Sequence, residues 1–125
     1  MGPIERVVNA DIFVPSDFQC RILGAGAVAG DILVDGKVNG NLKHSSGELV
    51  LRGILDGNIE TSTDGAIVIM GTVDGNIQST GNGKVGIRRG ARVKGNIKML
   101  GGGELTLDVG SIIGGNVEME GVRRG

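Results

Sequence analysis

The sequence predicts an all-β, single-domain β-solenoid of about six coils, each 17–20 residues long. Three observations predict it. One hexapeptide recurs: KVNGNL from Lys37, ILDGNI from Ile54, TVDGNI from Thr72, RVKGNI from Arg92 and IIGGNV from Ile112, with a weaker copy, AVAGDI, from Ala27. Glycine makes up 25 of 125 residues, about three times its ordinary share. Its spacing follows no three-residue period, which excludes collagen, and Ile, Val and Leu recur between the glycines, which excludes a disordered chain. Finally, the apolar residues fall at the same steps in every copy.

The repeated unit is longer than the hexapeptide. Leu49 to Ile59 aligns with Ile67 to Ile77 and with Ile32 to Leu42. Val85 to Ile97 and Leu105 to Val117 align with two residues inserted, and Cys20 to Ile32 fits that longer form. Unit starts at 32, 49, 67, 85 and 105 lie 17, 18, 18 and 20 residues apart.

Each element of a unit has a physical reason. In the copy beginning at Ile67 the apolar residues are Ile67, Ile69, Val73 and Ile77. The two-residue step is a strand with both side chains on one face. Each four-residue step crosses a corner, at Gly71 and at Gly75-Asn76. Glycine at a corner permits a positive φ, which Asn tolerates better than most residues. A helix is excluded, because a glycine every four to six residues would cost about 1 kcal/mol each. Polar, glycine-rich connectors complete the coils at Lys43–Gly47, Glu60–Gly65, Gln78–Gly83 and Lys98–Gly103.

Parallel stacking at about 4.8 Å makes six coils span roughly 25–30 Å. It predicts two core columns, Val28–Val38–Leu55–Val73–Val93–Ile113 and Ile32–Leu42–Ile59–Ile77–Ile97–Val117. Like then sits on like, as in-register stacking favours. Asn41, Asn58, Asn76, Asn96 and Asn116 are expected to form a ladder, bonded to one another or to the turn backbone. Residues 1–19 are expected to cover the first coil, 20–120 to form the β-helix, and 121–125 to be a short tail.

Composition narrows the function. The formal net charge of −1 and a pI near 5.8 argue against nucleic acid as a partner. Cys20 is the only cysteine, so there is no internal disulfide and no cysteine-based metal site; beside Ile22 it reads as a small buried apolar residue. No apolar run reaches membrane-spanning length, and MGPIERVV lacks the marks of a signal peptide. The expectation is a cytoplasmic protein. Ile4, Val7, Val8, Ile12, Phe13 and Val14 are read as covering the first coil in preference to touching lipid, because Asp11 and Asp17 flank them.

The spacing leaves the hand of the coil open, although the strict six-residue rhythm of left-handed hexapeptide helices fails at Thr61 and Ser79. The stretch Gly30-Asp-Ile-Leu-Val-Asp-Gly-Lys-Val-Asn-Gly-Asn-Leu42, followed by the GNI-type coils to Val117, resembles the bactofilins over about residues 20–120. The resemblance implies a right-handed parallel β-helix that assembles end to end into non-polar filaments without bound nucleotide. It also implies a scaffold for cell shape, cell-envelope growth or protein positioning. Self is then the main partner. A membrane surface or cell-envelope proteins are further ones, with attachment peripheral at the inner face of the membrane.

Three function classes are open to such a chain. For an enzyme, His44 is the only histidine and reads as a solvated turn residue. No GxSxG, phosphate loop or Cys/His cluster accompanies it. Asp35, Asp56, Asp64, Asp74 and Asp108 lack the aromatic neighbours of a sugar cleft, with no Tyr or Trp in the chain. No catalytic residue, cofactor or metal is therefore expected. For an adaptor or binding module, Lys84, Arg88, Arg89, Arg92, Lys94 and Lys98 form a basic coil suited to an anionic partner or membrane surface. Lys98 above Glu118 and Lys94 below Asp74 would neutralise part of it, at about 0.2–1 kcal/mol per stacked pair. For a structural protein, a solenoid ends in unpaired strand edges that invite another chain. The expected polymerisation interface is Phe13, Phe18, Ile112, Ile113, Val117, Met119 and Val122. A self-assembling structural protein is the preferred reading.

Overall fold

Nineteen short strands wind into three parallel sheets in the computed structural model, which describes residues 3–24 and 26–119. No helix occurs among the described residues. After β1 (Val7–Val8), the first coil is β2 (Ile12–Val14), β3 (Gln19–Arg21) and β4 (Ala27–Ala29). The second is β5 (Ile32–Val34), β6 (Lys37–Asn39) and β7 (Leu42–Ser46); the third is β8 (Leu49–Leu51), β9 (Ile54–Asp56) and β10 (Ile59–Thr61). The fourth is β11 (Ile67–Ile69), β12 (Thr72–Val73) and β13 (Ile77–Ser79); the fifth is β14 (Val85–Ile87), β15 (Arg92–Val93) and β16 (Ile97–Met99). The sixth is β17 (Leu105–Leu107), β18 (Ile112–Ile113) and β19 (Val117–Met119).

The first strands of the six coils form one face, β2 to β17, and the second strands form another, β3 to β18. The third strands, with β1 added at the start, form the seven-stranded third face. Inward side chains stack in register: Ile32, Leu49, Ile67 and Val85 on the first face, and Leu42, Ile59, Ile77 and Ile97 on the third. All of these are buried in one continuous core. The β-solenoid of about six coils is therefore the fold.

The register of the first coil differs from the expectation. Cys20, not Val28, stands on Val38, and Val28 pairs with His44 on the third face. Ile32 lies over Leu49 on the first face and does not head the Leu42 column. The unit therefore starts at Ile12, whose strand pairs with Ile32–Val34, so the expected boundary at residue 20 falls inside β3. AVAGDI imitates a corner, but β4 is a third-face strand. The core decides between the registers, because the observed one buries Val14, Cys20 and Val28 together. Covering the first coil falls to the residues before β2: Ile4 bridges Ile22, and Val7 and Val8 pair with Ala27 and Val28.

The corner glycines serve a different purpose from the one expected. Gly40 (φ 116°) and Gly47 (φ 90°) do use positive φ, but Gly53, Gly71 and Gly75 do not. What these three lack is room. A β-carbon on Gly71 would overlap the carbonyl oxygen of Gly53, one on Gly53 that of Gly36, and one on Gly75 that of Gly57. The coils pack so closely at corners that only hydrogen fits. Gly86, in mid-strand, is the contrast: its nearest obstacle would be the Ile67 carbonyl oxygen at 4.0 Å. Gly53→Ala is thus expected to lose about 1–3 kcal/mol through overpacking, whereas Gly86→Ala is expected to melt at or slightly above wild type. Thermal melts of the two variants side by side check this.

The core also holds polar residues. His44, Thr61, Thr63 and Ser79 are buried, which corrects the reading of His44 as a solvated turn residue. The first residues of the expected connectors are strand, and alternation turns every second one inward. His44 Nε2 lies 2.8 Å from the Gly30 carbonyl oxygen, so it carries the proton and donates; Nδ1 faces the Thr61 hydroxyl at 3.5 Å. Thr63 Oγ1 donates to the Gly47 carbonyl oxygen at 2.7 Å and accepts from the Gly65 N–H at 3.0 Å. Buried polar groups are tolerated when bonded in this way.

Candidate assembly interface

Two kinds of surface bear on function: the ends of the solenoid and the basic coil. Among the described residues each sheet ends at β17, β18 and β19 on one side and at β2, β3 and β1 on the other. Outward backbone groups of an edge strand form a template for another strand.

The two ends differ. At the N-terminal end Val14, Cys20 and Val28 are fully enclosed, with Ile4 over them. Burial pushes the Cys20 thiol above its usual pKa, in keeping with a packing role. At the C-terminal end of the described residues the core is less covered. Ile113, Val117 and Met119 continue the core but are only partly buried. Leu107 is 44% exposed.

The expected interface residues fall into separate groups. Ile113, Val117 and Met119 are core-column residues of the last coil. Ile112 projects outward, and so does Phe13, which stands on the side of the first coil between inward Ile12 and Val14. Phe18, exposed, follows the turn after Pro15 and donates its N–H to the Pro15 carbonyl oxygen at 2.9 Å. Val122 lies outside the described residues. Leu105 and Leu107 stand on Val85 and Ile87 in β17, which ends the first face among the described residues; the expected interface left them out.

The basic coil is largely neutralised by its neighbours. Lys94 meets Asp74 at 3.3 Å and Lys98 meets Glu118 at 3.8 Å, the two pairs expected. Lys84 meets Glu104 at 3.8 Å and Arg88 meets Asp108 at 3.6 Å. Of the six basic residues, only Arg89 and Arg92 make no ion pair among the described residues. Asp35 is likewise bonded by Arg52 through two contacts, at 2.5 and 2.8 Å.

The asparagine ladder is present. The side-chain oxygen of each rung accepts the backbone N–H of the next: Asn41 from Asn58 at 3.3 Å, Asn58 from Asn76 and Asn76 from Asn96 at 2.8 Å, and Asn96 from Asn116 at 2.7 Å. These amides satisfy corner N–H groups that the sheets leave free. Among the described residues no group of three or more His, Cys, Asp or Glu side chains is placed to hold a metal ion, and no helix is long and apolar enough to cross a membrane.

The amide ladder repeats one corner bond from coil to coil. Residues 17–118 match the bactofilin family, described as polymer-forming and cytoskeletal. The chain belongs to the bactofilin family. No curated protein and no solved structure matches it. The family is one of structural, cytoskeletal proteins and not of enzymes. A polymer-forming role also gives the recurring corner its purpose: each coil must present the next with the same surface.

Proposed function

We propose that this bactofilin assembles end to end through its terminal coils into non-polar, nucleotide-independent filaments that scaffold cell shape, envelope growth or the positioning of other proteins. The partly buried core residues of the sixth coil, Ile113, Val117 and Met119, beside strands β17, β18 and β19, which end the three sheets among the described residues, support the reading. A second copy would bury those residues and continue the three sheets. The expected interface of Phe13, Phe18, Ile112, Ile113, Val117, Met119 and Val122 stands as the proposed one, with Leu105 and Leu107 added. Cytoplasmic assembly, peripheral to the inner membrane face, belongs to the same proposal. The adaptor reading has less support, because four of its six basic residues are engaged in ion pairs.

Assembly should proceed equally with ATP, without it, and in EDTA, since the sequence holds no phosphate loop. Negative-stain microscopy of purified protein under these three conditions tests the proposal. Filaments in all three are expected; monomers throughout, or filaments only with ATP or a divalent cation, would refute it.

A further inference from the structure

One of the three faces is apolar on its outside. In the first-face strands the middle residue points outward, and these residues are Phe13, Leu33, Val50, Val68, Gly86 and Thr106 in coil order. The corresponding outward positions of the third face are Lys43, Glu60, Gln78, Lys98 and Glu118. The strands ILV, LVL and IVI are apolar at every position. Such runs belong to strands covered on both sides, yet the core covers only one side here.

We infer that a second copy of this chain covers this face, laid antiparallel about a two-fold axis between Val50 and Val68. Size and charge both select that arrangement. Turned about this axis, coil two meets coil five of the other copy. Leu33 then lies over Gly86, the largest aliphatic side chain against the position with no side chain. Phe13 lies over Thr106, and Val50 over Val68. At the margins of the face, coil two carries Asp31 and Asp35, and coil five carries Lys84 and Arg88. The antiparallel pairing sets Asp31 against Lys84, and Asp35, already held by Arg52, against Arg88, so the Asp31–Lys84 contact carries most of the charge preference. A parallel pairing would stack coil two on itself, acid against acid, and coil five on itself, base against base. The exposed Lys84 and Arg88 side chains already lean toward Glu104 and Asp108, so they also screen Glu104 where the outermost coils bring it opposite Asp11. The acids at Asp11, Asp31 and Glu48 oppose an anionic lipid surface on the same face.

The contact is a side-to-side one; it shares Phe13 with the proposed end interface and otherwise lies apart from the end joints. Six coils of three-residue strands present about 300 Å² per copy, well under the roughly 800 Å² per partner of a stable pair. A single contact is therefore weak and gains strength when filaments present many copies together. Covalent trapping suits such a contact. Leu33 and Gly86 are three coils apart in one chain, about 14 Å, beyond a bismaleimide linker of about 8 Å. A β-carbon at Gly86 has room, and buried Cys20 makes wild type the blank.

The double variant Leu33→Cys/Gly86→Cys is expected to give linked dimers on a denaturing gel, and each single variant to stay monomeric. Asp31→Cys/Lys84→Cys, at exposed margin positions, asks the same question should the first pair fold poorly. Dimers from Leu33→Cys alone would overturn the antiparallel arrangement. No dimers from either double variant would overturn a second copy as the occupant. Flotation of wild type on neutral phosphatidylcholine vesicles, lost in Val50→Lys, would then identify lipid in its place. At high protein concentration the linker accumulates even a weak pair of single subunits, so the readout does not depend on end-to-end growth and failure of the filament proposal leaves a different signature.

Discussion

Val73→Asp is expected to unfold the coil stack at or near room temperature. Val73 is 0% exposed, between Leu55 and Val93 in the second-face column. The column offers the introduced carboxyl only aliphatic neighbours. A buried unpaired charge is among the few substitutions that cost more than about 4 kcal/mol, against a total stability of about 5–15 kcal/mol for a domain. At about 3–5 °C per kcal/mol the melting temperature should fall by roughly 15 °C or more. The pH dependence has a definite sign. Burial raises the pKa of the introduced carboxyl in the folded state above its unfolded value of about 3.9. The penalty is therefore largest at neutral pH and shrinks as the group is protonated. The gap in melting temperature from wild type should narrow between pH 7 and pH 4. An unchanged melting temperature at pH 7 would place Val73 on the surface and overturn the register.

Val117→Arg is expected to abolish filaments while leaving the fold nearly intact. Val117 is partly buried in β19, with Ile97 behind it, so an arginine there can extend toward solvent. In a non-polar filament each joint is a two-fold contact in which a patch faces its own copy. The added charge then meets an identical charge and must lose water as well. Growth should stop at dimers joined through the N-terminal coils, seen by light scattering and microscopy, with a slightly lower melting temperature. Arg89→Glu is the control: Arg89 is exposed and away from the core residues of the sixth coil, so its filaments should persist. Long filaments from Val117→Arg would exclude the last coil as a joint. Loss of filaments in Arg89→Glu alone would point to lateral contact through the basic coil.

Much of the fold was legible because the repeats state it redundantly. Coils two to six each supply the same corner, and any two of them fix the register of the rest. The asparagine ladder and the Lys94–Asp74 and Lys98–Glu118 pairs follow from that register alone. The first coil had no such redundancy. Its corner, CRILGA, lacks the Gly-Asn signature, and AVAGDI offers a closer imitation on the wrong face. The third face was only half legible, for another reason. Its first inward positions, Leu42, Ile59 and Ile77, form a predicted column, but the second inward positions in coils two to four are His44, Thr61 and Ser79, whose polarity reads as loop, and only the backbone partners of His44 and Thr61 show how a solenoid accommodates them. The sixth coil was half legible: its apolar residues are evident from sequence, but which of them turn inward and which outward depends on the backbone.

The three sheets also decide how such a polymer bears load. Their hydrogen bonds run along the solenoid axis, with strands lying across it. Tension on a filament therefore pulls directly on hydrogen bonds, and at each level three ladders resist at once. Inside a subunit the backbone also passes from coil to coil, so an overstretched coil peels away but stays tethered. At the proposed end-to-end joint no covalent chain would cross, and the ladders with their buried apolar residues would be the whole connection. Such a filament should part at its joints and keep its subunits whole, breaking into shorter rods that retain the ends needed to rejoin.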